Sequence, residues 1–167
     1  FEPKFIFYKT KSWKKIDKES QKSFEFFIKT FEKNIEVFDT PSYFDDIPKY
    51  HKIIHETDMA NNFHVYYKKS KKKLSKEMIS AIERGLKYSA KEYAEAIDFM
   101  KRSYESYKEV FEDYHGVLSP ATTGVADKGL KSTGSPEFCT VWTYMGCLLY
   151  TSPSPRDAHE SRMPSSA

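Results

Sequence analysis

FIFYKTKSWKKIDKESQKSFEFFIKTFEKNIEVF, residues 5–38, decides the fold class. Phe5-Ile6-Phe7-Tyr8 is a short apolar run after Pro3, and its length and aromatic content fit a buried strand better than a helix. Asp17 then stands where an N-cap belongs. Phe24, Phe27, Ile28 and Phe31 recur at three- and four-residue steps, which puts them on one face of a helix reaching about Lys33, with Asn34 ending it. Ile35 to Phe38 is a second short strand. Strand, helix and strand in that order make one unit with a crossover helix, so the sequence predicts an α/β fold.

Downstream, Pro41 and Pro48 bracket a loop, and a helical stretch is expected from about Lys49 to Tyr67. Leu74 to Tyr114 reads as two helices divided at Gly85, a glycine suited to the left-handed position that closes a helix. Ser75 caps the first, with Leu74 and Ile79 at the spacing of a hydrophobic staple. Ser89 and Glu92 form a capping box for the second. Tyr93, Ile97, Met100, Tyr104, Tyr107 and Phe111 make its expected buried stripe. Val117-Leu118 is a strand fragment stopped by Pro120. A glycine-dotted loop then runs through Gly124 and Gly129 to Gly134, and a helix is expected from Pro136 through Trp142 to Met145. Residues 148–167 are Ser/Pro-rich with no periodic apolar face, which predicts a tail that builds no core.

The 167 residues suffice for one domain, and 39% apolar with 16% aromatic content is too much bulky surface for a disordered chain. No stretch reaches the ~18 consecutive apolar residues of a spanning helix, so no membrane partner is expected. Cys139 and Cys147 have no second pair, which fits free thiols in a reducing, cytoplasmic setting. The 27 basic and 24 acidic residues are interspersed with a net charge of +3, and no nucleic-acid partner is expected.

Three clusters carry possible chemistry. His51 and His55 lie four apart with Glu56, Asp58 and His64 nearby, but the HExxH order of a zinc hydrolase is absent and no metal is expected. Lys68, Lys69, Lys71, Lys72, Lys73 and Lys76 form a basic run beside Tyr66 and Tyr67, which reads as a solvated helix end. Cys139 would serve as a nucleophile only with a base, and His115 is the nearest histidine in sequence. No GxSxG elbow, P-loop or dinucleotide fingerprint occurs, so no cofactor is expected.

The order of these pieces resembles the amidase signature enzymes across nearly all of residues 1–147. FIFYKTKSW at 5–13 looks like the family's strand and following tryptophan, and Ile35-Glu36-Val37 before Pro41 like its next strand. DMANNF at 58–63 is similar to a family segment that usually begins with Glu. Ser89-Ala90-Lys91-Glu92-Tyr93 with Ala96 resembles a helix start of the "sa.dY..A" type. GVLSPATTG at 116–124, then Thr133-Gly134, Phe138, Trp142 and Gly146, resemble the family's closing region. His115 stands where that family commonly has Asp, and Asp127 where Pro is frequent. After Cys147 the resemblance stops, and LLYTSPSPRD at 148–157 looks like translated adapter or vector sequence.

The resemblance implies that residues 1–147 are the C-terminal part of an amidase domain, helix-rich, within a mixed central sheet flanked by helices. It implies hydrolysis of a small-molecule carboxamide by a serine nucleophile, a second serine in a cis peptide and a lysine base. That triad is expected upstream of Phe1, so no catalytic residue is expected in this chain. Thr133, Phe138 and Trp142 are the substrate-pocket candidates. The chain alone is expected to be inactive and weakly stable, and a homo-oligomer is left open. Two other readings compete: a non-enzymatic helical interaction module built on the Tyr93 to Phe111 face, and the amidase-like component of a tRNA-dependent amidotransferase. Against the latter, FHVYYKKSKKK lacks the YDG-type continuation expected after Asn62.

Overall fold

The computed structural model describes residues 2–125, 129 and 134–147. Strand β1, Phe5–Lys9, runs into a 3-10 turn at Lys11–Lys15 and then helix α1, Lys18–Thr30. Strand β2, Ile35–Asp39, follows and pairs with β1 in parallel, so residues 5–39 form the expected crossover unit. A second 3-10 turn at Ser42–Asp46 leads into α2, Ile47–Asn62, followed by α3, His64–Ser70, and a 3-10 turn at Lys71–Lys73. Helices α4, Lys76–Gly85, and α5, Ala90–Lys108, both pack against α2, and a short α6, Val110–Asp113, precedes β3, Gly116–Leu118. Helix α7, Glu137–Tyr144, ends the described chain. β1 is central in a parallel sheet of order β2-β1-β3, so the fold is α/β and rich in helix.

Strand alternation sorts the core into two faces. Ile6 and Tyr8 point to one, where they are buried with Phe44, Ile47, Tyr107, Val141, Trp142, Tyr144 and Met145. Phe7 points to the other, edge-on to Trp13 at 5.4 Å and 5.8 Å from Phe24 of α1. The α1 N-cap is Asp17, whose carboxylate accepts from the Ser20 backbone N–H at 2.8 Å, while its own N–H donates to Thr123 O. The loop after β3 is thereby laid across the start of α1. A side chain at Gly124 would collide with the Asp17 carboxylate.

Four local expectations are corrected. Helix α1 ends at Thr30 instead of Lys33, because residues 31–34 turn the chain into β2. The helix expected over 49–67 begins at Ile47, with Pro48 in its first turn where a missing N–H costs nothing, and is broken at Phe63 into α2 and α3. Gly85 is not left-handed: it is the last residue of α4, and a β-carbon there would collide with the Glu56 carbonyl of α2. Its smallness serves close helix packing. On α5 the buried residues are Ala96, Ser103 and Tyr107, while Tyr104 stays about half exposed and the equally exposed Phe111 falls on α6, so the buried face is turned from the expected stripe and the helix ends before the stripe does. Ser103 can face inward because its hydroxyl donates to Phe99 O one turn back, at 2.8 Å.

The expected caps are present. Ser75 Oγ accepts from Met78 N, and Ser89 and Glu92 make both bonds of the capping box. The expectations for residues 148–167 and for Thr133 fall outside the described residues.

Candidate functional site

In an open parallel sheet the carboxyl ends of the strands and the loops beyond them are where ligands are usually held. Thr10 directly follows β1 and Thr40 directly follows β2, so parallel pairing brings the two threonines side by side. They line a cleft of about 390 Å³, whose other walls come from Lys11 and Lys15, Phe44 and Asp45, and Glu137, Thr140 and Val141 of α7.

Two ion pairs tie these walls together. Lys11 Nζ lies 2.5 Å from Asp45 Oδ2, joining the segment after β1 to the turn before α2. Lys15 Nζ lies 2.5 Å from Glu137 Oε1, joining the same segment to the start of α7. Both lysines are well exposed, so the pairs set geometry more than they add stability. Two oxygens of the lining, Thr10 Oγ1 and Glu137 Oε2, are shielded from solvent with no hydrogen-bond partner among the described residues. Glu137 therefore spends one carboxylate oxygen on Lys15 and keeps the other as an acceptor.

Of the pocket residues expected from sequence, Phe138 and Trp142 are on α7 and are 1% and 4% exposed. Trp142 packs behind the cleft, with its ring 6.3 Å from that of Phe44, and also contacts Tyr8 and Tyr107. Thr133 lies outside the described residues. The cleft residues Thr10, Lys11, Lys15, Thr40, Asp45, Glu137 and Thr140 are not among those that sequence reasoning singles out. The carboxyl-end rule, applied to the two expected strands, points to the residues just beyond Tyr8 and Phe38, a stretch that includes Thr10 and Thr40.

The other clusters resolve as follows. His51 and His55 stack with rings 5.7 Å apart, and His51 is edge-on to Tyr144. Burial and then the neighbouring His55 lower the His51 pKa, favouring the neutral ring. Among the described residues no group of three or more His, Cys, Asp and Glu is placed to hold a metal. Glu56 and Asp58 serve helix packing. Glu56 accepts from Arg84 Nε at 2.8 Å and Tyr88 OH at 3.1 Å, and Asp58 accepts from Tyr93 OH at 3.0 Å. The Cys139 thiol donates to Ala121 O in the loop after β3, whereas His115 exchanges hydrogen bonds with Lys4 just before β1. Thiol and imidazole are thus held at opposite ends of β3. Cys139 and Cys147 are both free.

No protein-family model matches this chain, and no curated protein matches it. A solved structure described as "Crystal structure of amidase" superposes with a TM-score of 0.66 at 15% identity, over 87% of this chain and 36% of that one. That likeness concerns the fold, and the chain spans just over a third of the amidase it matches.

Proposed function

We propose that this chain is the C-terminal part of an amidase, in which it supplies scaffold and one wall of the pocket for a small carboxamide substrate. The observation that carries the reading is the agreement in fold with an amidase over 87% of the chain. The order of motifs from FIFYKTKSW to the Thr133–Gly146 region supports it from the sequence side. In this reading the chemistry is serine-based and its machinery lies in the rest of the parent enzyme. A lysine held neutral takes the proton from a serine hydroxyl, the serine attacks the amide carbonyl, and backbone N–H groups hold the oxyanion. Collapse of that intermediate breaks the C–N bond, the amine leaves carrying the proton the lysine took, and water then hydrolyses the acyl-enzyme to the carboxylic acid and the free serine.

The contribution of this chain is positional. Phe44 and Val141 give the cleft an apolar wall, Trp142 packs behind it, and Phe138 is buried on the same helix. Thr133, in the segment that precedes α7 in sequence, is a further pocket candidate. Thr10, Thr40 and Glu137 offer hydroxyl and carboxylate groups to the polar end of a substrate.

The test compares this chain with the longer parent polypeptide on a panel of aromatic and aliphatic amides. Turnover is expected of the parent and not of this chain, since loss of a whole catalytic constellation removes a rate factor on the order of 10⁶. Turnover by this chain alone, or a parent lacking a lysine and paired serines upstream, would overturn the reading.

A further inference from the structure

The basic run lies outside the cleft and belongs to no part of the chemistry above. From Met59 to Lys76 there are six lysines and no acidic residue, so the rest of the chain, whose total is +3, carries a net charge of −3. The positive excess is therefore concentrated in this one surface segment.

Its arrangement is fixed by one of the six. Lys71 Nζ lies 2.8 Å from Glu83 Oε1 and 3.0 Å from Tyr67 OH, and Tyr67 OH donates to the same Glu83 oxygen at 2.8 Å. This clamp holds α3 and the turn after it against α4. Lys68, Lys69, Lys72, Lys73 and Lys76 are exposed and make no ion pair within 4 Å among the described residues.

On α3 the clamped Tyr67 and the half-buried Phe63 and Ser70 share the inward face. At helical spacing Val65, Tyr66, Lys68 and Lys69 share the outward face. Val65 is 56% and Tyr66 59% exposed, so the outward surface alternates bare apolar groups with long cationic side chains. We propose that this face, with the lysines of the following turn, docks on an anionic lipid surface. Lysines adjacent to an acidic leaflet gain from its negative potential, and their flexible stems let the ammonium groups stay at headgroup level while neighbouring apolar groups enter the acyl boundary. Peripheral docking needs no spanning helix, and among the described residues none is long and apolar enough to be one.

A single-stranded nucleic acid is the competing polyanion. Its recognition uses arginine forks and successive aromatic platforms. The run has no arginine, and its exposed rings are the His64 imidazole and Tyr66.

The experiment is flotation of the full chain with vesicles of phosphatidylcholine alone and of phosphatidylcholine mixed with phosphatidylserine, each in low and high salt. Binding to the anionic vesicles is expected to exceed binding to the neutral ones by at least about tenfold and to fall as salt shortens the screening length. Lys68→Glu/Lys69→Glu/Lys72→Glu/Lys73→Glu should abolish it. Val65→Ser/Tyr66→Ser should weaken it several-fold while leaving its salt dependence, with circular dichroism confirming that each variant stays folded. Equal binding to both vesicle types, no binding to either, or retention by the folded charge-reversal variant would overturn the proposal. So would a single-stranded RNA that displaces the protein from anionic vesicles at matched phosphate concentration. Because the readout is vesicle binding, its failure leaves the amidase reading untouched, and failure of that reading leaves this result standing.

Discussion

The two faces of the small sheet are covered very differently. On the side of Ile6 and Tyr8, helices α2, α5 and α7 and the turn at Phe44 build a nearly dry aromatic cluster in which Tyr107 is 2% and Ile47 0% exposed. On the side of Phe7, α1 is the covering helix and has no buried residue of its own. Phe24 reaches the sheet, while Phe27 and Phe31 remain 43% and 47% exposed. A parallel sheet is normally covered on both faces, so the contrast is between a finished layer and a thin one. Apolar periodicity identifies side chains that share a face, as it does on α1, but it carries no measure of how much protein lies over that face.

The largest expected effect tests the finished layer. Tyr107 packs against Tyr8, Phe44 and Trp142, and Tyr107→Ala should cost about 3–5 kcal/mol in urea denaturation. Its hydroxyl, by contrast, is buried without a partner among the described residues. Tyr107→Phe should therefore be neutral or slightly stabilising, since a buried hydroxyl that makes no hydrogen bond contributes only its desolvation cost. A loss from Tyr107→Phe as large as that from Tyr107→Ala would mean that the hydroxyl, and not the ring, holds this layer together.

Behind the same layer, Glu56 is 3% exposed and bridges α2 to Arg84 and Tyr88. Burial alone would raise its pKa, but the hydrogen bonds from Arg84 and Tyr88 outweigh that and hold it below the ordinary carboxylate value. A folded-state pKa below the unfolded one means a stabilisation fully present above the unfolded pKa and lost as pH falls through the folded one. Glu56→Gln should cost about 2 kcal/mol near neutral pH and flatten the acid limb of the stability curve. An unchanged acid limb would show that other carboxylates set the acid sensitivity.

Gly85→Ala sharpens the same contrast through its sign. In an exposed helix interior this change stabilises by up to about 1 kcal/mol. Here the new methyl meets the Glu56 backbone, and the expected outcome is a loss of about 1–3 kcal/mol. A gain would show that α2 and α4 are less tightly apposed than their packing indicates.

These residues also mark what the sequence can and cannot disclose. Asp17, Ser75, Ser89 and Glu92 are readable as caps because their partners lie within three residues. Gly85 reads as a helix terminator because the carbonyl that requires it belongs to residue 56, on another helix. The turned face of α5 escapes the pattern because Ser103 looks polar in sequence and satisfies its hydroxyl within its own helix. Thr10 and Thr40 become neighbours through strand register, and Glu137 joins their cleft from the last described helix. Phe138 and Trp142 enter through family resemblance, and periodicity does not single them out.

The smallest expected effect belongs to the thin layer. Phe27 and Phe31 contact each other with ring centroids 4.9 Å apart, yet each keeps close to half of its surface in water. Full burial of a phenylalanine stabilises by about 1.5–3 kcal/mol, so half-exposed rings supply only part of that. Phe27→Ser and Phe31→Ser should each cost about 1 kcal/mol or less, well below Tyr107→Ala. Measured at two protein concentrations, the losses should be the same if the contacts of these rings all lie within one chain. A loss near 3 kcal/mol that appears only at the higher concentration would mean that another copy covers these rings in solution. The contrast between the faces would then describe one chain by itself and not the assembled protein.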